Sequence, residues 1–356
     1  MGRRRMKRAV LCGAISVVGC ADSNLTDGGT DVSPDRVNIG ALTFDYVVNA
    51  LTIDDTDGVD VAHTGFNVDG LFSGPTDADG CNHADFFSLH DRDQHRPSGC
   101  AMGSAGCAGG VDNQLPTIIN SVQAAAMGMD LRLMLAEQVR TGSITLLIRV
   151  SGVDDIANDP AVSVRIWEGY AEFTDCGAAF SGNAEYSVSI ASLRTGGTNI
   201  DTDASFNFPG SIVDGRLVVS TATGMLRVPL PEITGTRVNL DLNQVQVRLS
   251  LAPDGTHGTN GDIGGFVLGN TLVATRATGL PPEFLDAAYR VIAAVVDVRL
   301  RGTTVCTDLS NLDMPQLGGI SMGFGFSTVR ARIRPTAVQA RTPGTCGTQS
   351  MDGGRG

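Results

Sequence analysis

Alternation of apolar and polar positions runs through most of the chain and sets its expected architecture. Phe44, Tyr46 and Val48 alternate within the apolar segment Ile39–Ile53, which predicts a first strand. Ile144, Leu146 and Ile148 repeat the pattern. So do Val162, Val164 and Ile166, with Ser163, Arg165 and Trp167 on the opposite face. Asp154, Asp155 and Asp159-Pro160 between these runs predict a turn. Val213-Asp214-Gly215-Arg216 predicts a two-residue hairpin. Between Val238 and Leu251 the alternation changes phase, from Val238, Leu240 and Leu242 to Val245, Val247, Leu249 and Leu251. One extra residue near Asn243–Gln244 keeps both halves on one core, so a β-bulge is expected there. The loop Pro253–Gly265 is expected to lead into a strand at Phe266–Thr275, and glycine-rich Gly318–Gly325 into a last strand near Phe326–Ile333.

A longer period appears twice. Leu115–Val139 predicts a helix, with Pro116 in its first turn and Ile118, Val122, Ala126, Met129 and Leu133 on one face. Pro281-Pro282-Glu283 opens a second, with Phe284, Leu285, Ala288, Ile292 and Val295 on one side. No fixed-period repeat is present. The expected fold class is mainly β (α+β): an antiparallel two-sheet sandwich-like body with two accessory helices.

The first 20 residues follow another pattern. Arg3, Arg4, Arg5, Lys7 and Arg8 precede the apolar run Ala9–Gly19, which is too short to span a bilayer but suits a signal peptide. The run ends in Val17-Val18-Gly19-Cys20, which resembles a bacterial lipobox, with Val17 where leucine is usual. The resemblance implies cleavage before Cys20, a thioether-linked lipid on Cys20, and a membrane partner reached through that anchor at the cell envelope. Ala21 lacks the aspartate retention signal of some bacterial lipoproteins, which implies the outer membrane, or otherwise its periplasmic face. Cleavage after Ala21 would instead release a soluble secreted protein. The expected organisation is therefore a signal peptide over 1–20, a flexible polar tether over 21–38, one β-rich domain over 39–346, and a disordered tail over 347–356.

Charge narrows the partners. The chain holds 26 Lys and Arg against 38 Asp and Glu, a formal charge of −12. Losing residues 1–20 leaves 21 basic residues and −17. Such an acidic chain without basic clusters repels nucleic acid, so that partner class is excluded. A protein or carbohydrate ligand is left open. Of the acids, 32 are Asp, a residue of turns, caps and hard-cation sites.

Beyond Cys12 and Cys20, six cysteines remain: Cys81, Cys100, Cys107, Cys176, Cys306 and Cys346. An even number in an exported chain predicts three disulfides, with one pair inside the Asp/His region and Cys306 near Cys346. The region 54–110 concentrates the polar chemistry. Asp77, Asp79 and Asp85 offer alternating hard oxygen ligands that suit Ca²⁺, although the spacing matches no EF-hand. His83, His90, Asp91, Asp93 and His95 offer imidazole and carboxylate to a transition metal. A solvated loop held by cysteines is the plainer reading of the same residues. Gly319-Ile320-Ser321-Met322-Gly323 has the GxSxG spacing of a nucleophile elbow. However, it lacks the strand-to-helix setting, and no histidine follows His257, so glycine-rich β packing is expected. Trp167 and Tyr170 are expected to cap a sheet core and not to form a ligand platform. The function expected from sequence is a noncatalytic, lipid-anchored envelope module with a binding or structural role. The alternative is a metal-dependent envelope hydrolase built on His and Asp residues of 63–95.

Overall fold

The computed structural model describes residues 41–53, 64–66, 68, 113–125, 130–172, 180–221, 223–229, 239–271, 289–290, 292–300, 303, 306–310 and 316–339. The chain divides into two units, Met1–Ile39 and Gly40–Gly356, and every described residue belongs to the second. Its strands are β1 (Leu42–Thr52), β2 (Leu146–Val153), β3 (Asp159–Ala171), β4 (Glu185–Val188), β5 (Phe206–Val213), β6 (Arg216–Ser220), β7 (Met225–Pro229), β8 (Asn239–Leu251), β9 (His257–Leu268), β10 (Thr307–Asp308), β11 (Gln316–Leu317), β12 (Gly319–Arg330) and β13 (Arg332–Ile333). Two helices, α1 (Leu115–Ala125) and α2 (Leu131–Arg140), lie between β1 and β2.

β1, β2, β3, β5, β6, β8, β9 and β12 pair antiparallel in chain order, and β12 returns to pair with β1. The result is a closed eight-stranded barrel, not the expected two-sheet sandwich. A sandwich leaves edge strands on each sheet, whereas the pairings β1–β12 and β3–β5 consume them. β7 continues the stave begun by β6: Leu217 faces Leu249 of β8, and Leu226 faces Leu242.

The alternation read from the sequence becomes the inside and outside of the wall. Phe44, Tyr46, Ile148, Val150, Val164, Ile166, Phe206, Leu217, Val247, Leu249, Ile263 and Phe324 share one buried cluster. Each pairs across the wall with another inward residue, as in Tyr46↔Ile148↔Ile166↔Phe206. In β8 the register shifts between Asn243 and Gln246, and Gln244 takes φ +50. Leu240 and Leu242 therefore join Val245, Val247, Leu249 and Leu251 in the same core, which is the expected bulge. Asp45, Arg149, Ser151, Ser163, Arg165, Asn207, Gln246, Arg248 and Asp262 hold the alternate, outward positions.

The two ends of the barrel differ. At one end the staves join through short turns: 154–158, Asp214-Gly215 and 252–256. Asp214 and Gly215 take φ +51 and +74, as the hairpin signal requires. The Asp159 carboxylate closes the first turn by accepting from Ala161 N at 3.0 Å and Asp154 N at 2.7 Å. At the other end lie the long connections, with both helices. α2 starts on the Asp130 cap and sends Leu131, Leu135 and Val139 into the main core. The single helix expected over Leu115–Val139 is thus two helices with different buried faces, and Leu133 is 68% exposed.

Two layers cover the wall from outside. On β1–β3, the outward Val47, Leu147 and Trp167 pack under Tyr186, Val188, Ile200 and Ile333, with β4 and β13 extending the sheet. Trp167 is fully buried beneath Arg149, which grips Asp45 with two hydrogen bonds of 2.7 and 2.8 Å and reaches Asp201 at 2.8 Å. The Trp167 reading as a core residue holds. On β9 and β12, Phe66 and Val68 pack with Phe266 and Val298. Glycine makes this approach feasible, since a Cβ on Gly264 would stand 2.6 Å from Phe66 and one on Gly323 2.9 Å from the Gly65 backbone.

Three further expectations are corrected. The stretch from His257 to Gly265 is strand, because its glycines face bulky side chains such as Phe326 and Phe66, and only the residues before it form the turn. Gly319–Gly325 is likewise part of β12 and not its approach. Of the three expected disulfides, no complete one lies among the described residues. Cys306 is buried and disulfide-bonded, while Cys81, Cys100, Cys107, Cys176 and Cys346 lie outside the described residues. The second predicted helix is described only at its end, where residues 289–290 and 292–293 are helical.

Two outcomes follow from this architecture. The Ala161 and Asp154 amides hold the Asp159 carboxyl below the ordinary carboxylate range. The stabilisation this gives is full above the unfolded value near pH 4 and lost as pH falls through the depressed folded value. Asp159→Asn should lower stability by about 1–2 kcal/mol at pH 7 and flatten the acid limb of a stability–pH curve measured by urea unfolding. Gly264→Val should displace Phe66 and cost about 1–3 kcal/mol, seen as a lower urea midpoint with an unchanged far-ultraviolet β signal.

Candidate functional site

The barrel interior is filled by side chains, so the candidate site lies on the outer wall. A groove of about 520 Å³ opens where Ala50 and Thr52 of β1, Gly325, Phe326 and Ser327 of β12, and Asn260, Gly261 and Asp262 of β9 run side by side. Thr64 forms one margin, and Arg216 reaches in from β6 across β8. Gly325 keeps the floor low on its outer side, beneath Thr52 and Thr64. Ser327 donates to Asn49 Oδ1 at 2.9 Å.

Charge in the groove centres on Asp262, an 11%-exposed side chain shared by two guanidinium groups. Arg248 lies 3.2 Å away and Arg216 3.9 Å away. Arg248 also donates to Gly65 O at 2.8 Å and lies 4.2 Å from the centre of the Phe66 ring, in cation–π geometry. Burial pushes the Arg248 pKa down; Asp262 opposes that shift, and the like charge of Arg216 adds to it. Arg248 is thus committed to holding the 64–66 segment on the wall, whereas Arg216 is half-exposed.

A second polar cluster lies beneath α1 and is closed. Ser321 Oγ donates to Asp297 Oδ2, Ser321 N donates to Asp297 Oδ1 at 2.8 Å, and Gln114 N donates to Ser321 Oγ at 3.1 Å. Asn113 Oδ1 accepts from Gly323 N at 2.9 Å and Leu115 N at 3.1 Å, while its Nδ2 donates to Thr64 O at 3.0 Å. Ser321 and Asp297 are buried. This network pins the start of α1 and Thr64 to β12.

Ser321, the serine of the GxSxG spacing, therefore sits in mid-strand and is sealed by its neighbours. His257 is the sole histidine among the described residues. It faces Val329, eight residues along β12 from Ser321, or about 26 Å at strand rise. The two do not meet. No group of three His, Cys, Asp or Glu side chains that could hold a metal occurs among the described residues. The candidate ligands Asp77, Asp79, His83, Asp85, His90, Asp91, Asp93 and His95, with the anchor residue Cys20, lie outside the described residues.

The groove residues carry no motif. Arg216, Asn260, Asp262 and Ser327 are ordinary outward positions on separate strands, brought together only by register. Asn260, with φ +49 beside Gly261, did give a local signal, but it reads as a turn when the neighbouring strands are unknown. No family model, curated protein or solved structure matches this chain.

Proposed function

We propose that this protein is a noncatalytic binding module of the bacterial cell envelope, held to the membrane by a lipid on Cys20 and using the outer-wall groove as its ligand site. The observation that carries the reading is the sidedness of the barrel. Its inward positions are aliphatic and aromatic, and its outward positions include Asp45, Arg149, Arg165, Arg248 and Asp262. Barrels embedded in lipid have the reverse arrangement, with an apolar outer band. A wall of this kind belongs in water, so attachment to a membrane has to come from outside the barrel, and the lipobox-like segment offers such an anchor. The sealed hydrogen bonding of Ser321 supports binding over catalysis, because a nucleophile must be reachable by its substrate.

Membrane fractionation tests the proposal. The native chain should sediment with membranes and incorporate labelled palmitate, and Cys20→Ala should lose both properties. The released variant should remain soluble and monodisperse without detergent, because its outer wall is polar. A Cys20→Ala protein that stays in the membrane fraction or needs detergent would overturn the reading.

A further inference from the structure

The groove has an electrostatic property that stands against the rest of the chain. Among the described residues its lining carries one guanidinium, Arg216, and one carboxylate, Asp262, which a second guanidinium, Arg248, contacts beside the groove, in a protein of formal charge −12. Arg248 is fastened by Asp262 at 3.2 Å, by the Gly65 carbonyl and by Phe66. Arg216 has a longer contact with the same carboxylate, 3.9 Å, outside hydrogen-bonding distance, and its side chain is 45% exposed. Asp262 neutralises one of the two cations, so a unit of positive charge faces the groove at Arg216. A guanidinium is a planar fork that matches a carboxylate through two parallel hydrogen bonds. Thr52 and Ser327 supply hydroxyls from the opposite side, and Asn260 contributes an amide able to donate and accept.

We infer that the groove takes a small hydroxylated carboxylate, the chemistry of a sugar acid, with Arg216 pairing the carboxylate and Thr52, Asn260 and Ser327 meeting the hydroxyls. The inference rests on the reading of the barrel as a binding module and names the ligand class for that site. A singly charged ligand fits better than a doubly charged one, because Asp262 stands beside Arg216 and repels each added negative charge. A neutral sugar would leave Arg216 unused, and a cationic one would face its field. The volume, about 520 Å³, lies within the usual span for small-molecule sites of about 300–1,000 Å³.

Ligand-observed NMR titrations of the purified full chain with D-glucuronate, D-glucose and D-glucose 6-phosphate test the inference. Glucuronate should bind saturably and at least tenfold more tightly than either of the others. Arg216→Gln should weaken glucuronate at least tenfold while leaving glucose unchanged, and Arg216→Lys should fall between. Arg216 is half-exposed, so both variants should keep the native melting midpoint; a loss of binding accompanied by a lower midpoint in both would refute a specific role for this side chain. Ser327→Trp, which fills the groove, should abolish binding of all three. Glucose binding as tightly as glucuronate, with both lost in Ser327→Trp, would overturn the anion assignment and leave the groove as a binding site. Saturable binding of none of the three would overturn the groove and the ligand class together.

Discussion

Pairing between β1 and β12 joins the two ends of the folded chain, from Tyr46 opposite Arg330 to Thr52 opposite Gly325. Everything else on the molecule is placed by that closure. It completes a wall with no exposed ladder among its eight staves, so the inward residues see only one another. It sets Ala50 and Thr52 beside Gly325 and Ser327, which makes one bank of the groove. It also fixes the outer face of β12, on which Asn113, Gln114 and Thr64 dock. Each of these contacts depends on register, and a slip of one residue would turn every inward side chain out.

What was legible in the sequence, and what was not, follows from the range of each signal. The first strand, the Asp154–Asp159 turn, the Asp214-Gly215 hairpin and the β8 bulge rest on neighbours a few residues apart, and each appears where the sequence places it. Closure does not. Alternation specifies one buried face, which a sandwich and a barrel share; the partner of β1 is a fact about residues 319–330 that no local pattern states. The glycine-rich strands mislead for a related reason. Gly258, Gly261, Gly264, Gly323 and Gly325 resemble loop composition until the side chains that lie over them, Leu249, Phe326, Phe66, Asn113 and Thr52, are in place. The helical stretch Leu115–Val139 misled through its unbroken period, because the Asp130 cap that starts a separate helix is a single residue within it.

Among the described residues, the candidate chemistry lies on surfaces added to or carved from the wall. The interior has been filled by large residues, including Tyr46, Phe206 and Phe324, all buried. Small glycine positions on the outside are what remain available for close approach, and the chain uses them in two ways. Over Gly264 and Gly323 it lays its own segment, held by Arg248 and Asn113. Along Gly325 the described residues leave a groove. The same short side chains therefore serve as seats for the molecule's own cover and as the floor of its candidate site.

The order of the staves has a consequence for how the chain folds. Each barrel stave pairs with the stave before it, three of these pairs as short hairpins and the others across long connections whose closure costs more entropy. Through all of that growth β1 keeps one unpaired edge, Leu42–Thr52, rich in Phe, Tyr, Val and Leu. Its partner is the last of the eight staves in chain order. A half-built sheet with a long apolar edge is a template for the wrong neighbour. Exposure of that edge therefore ends only when Gly319–Arg330 pairs with it and closes the wall.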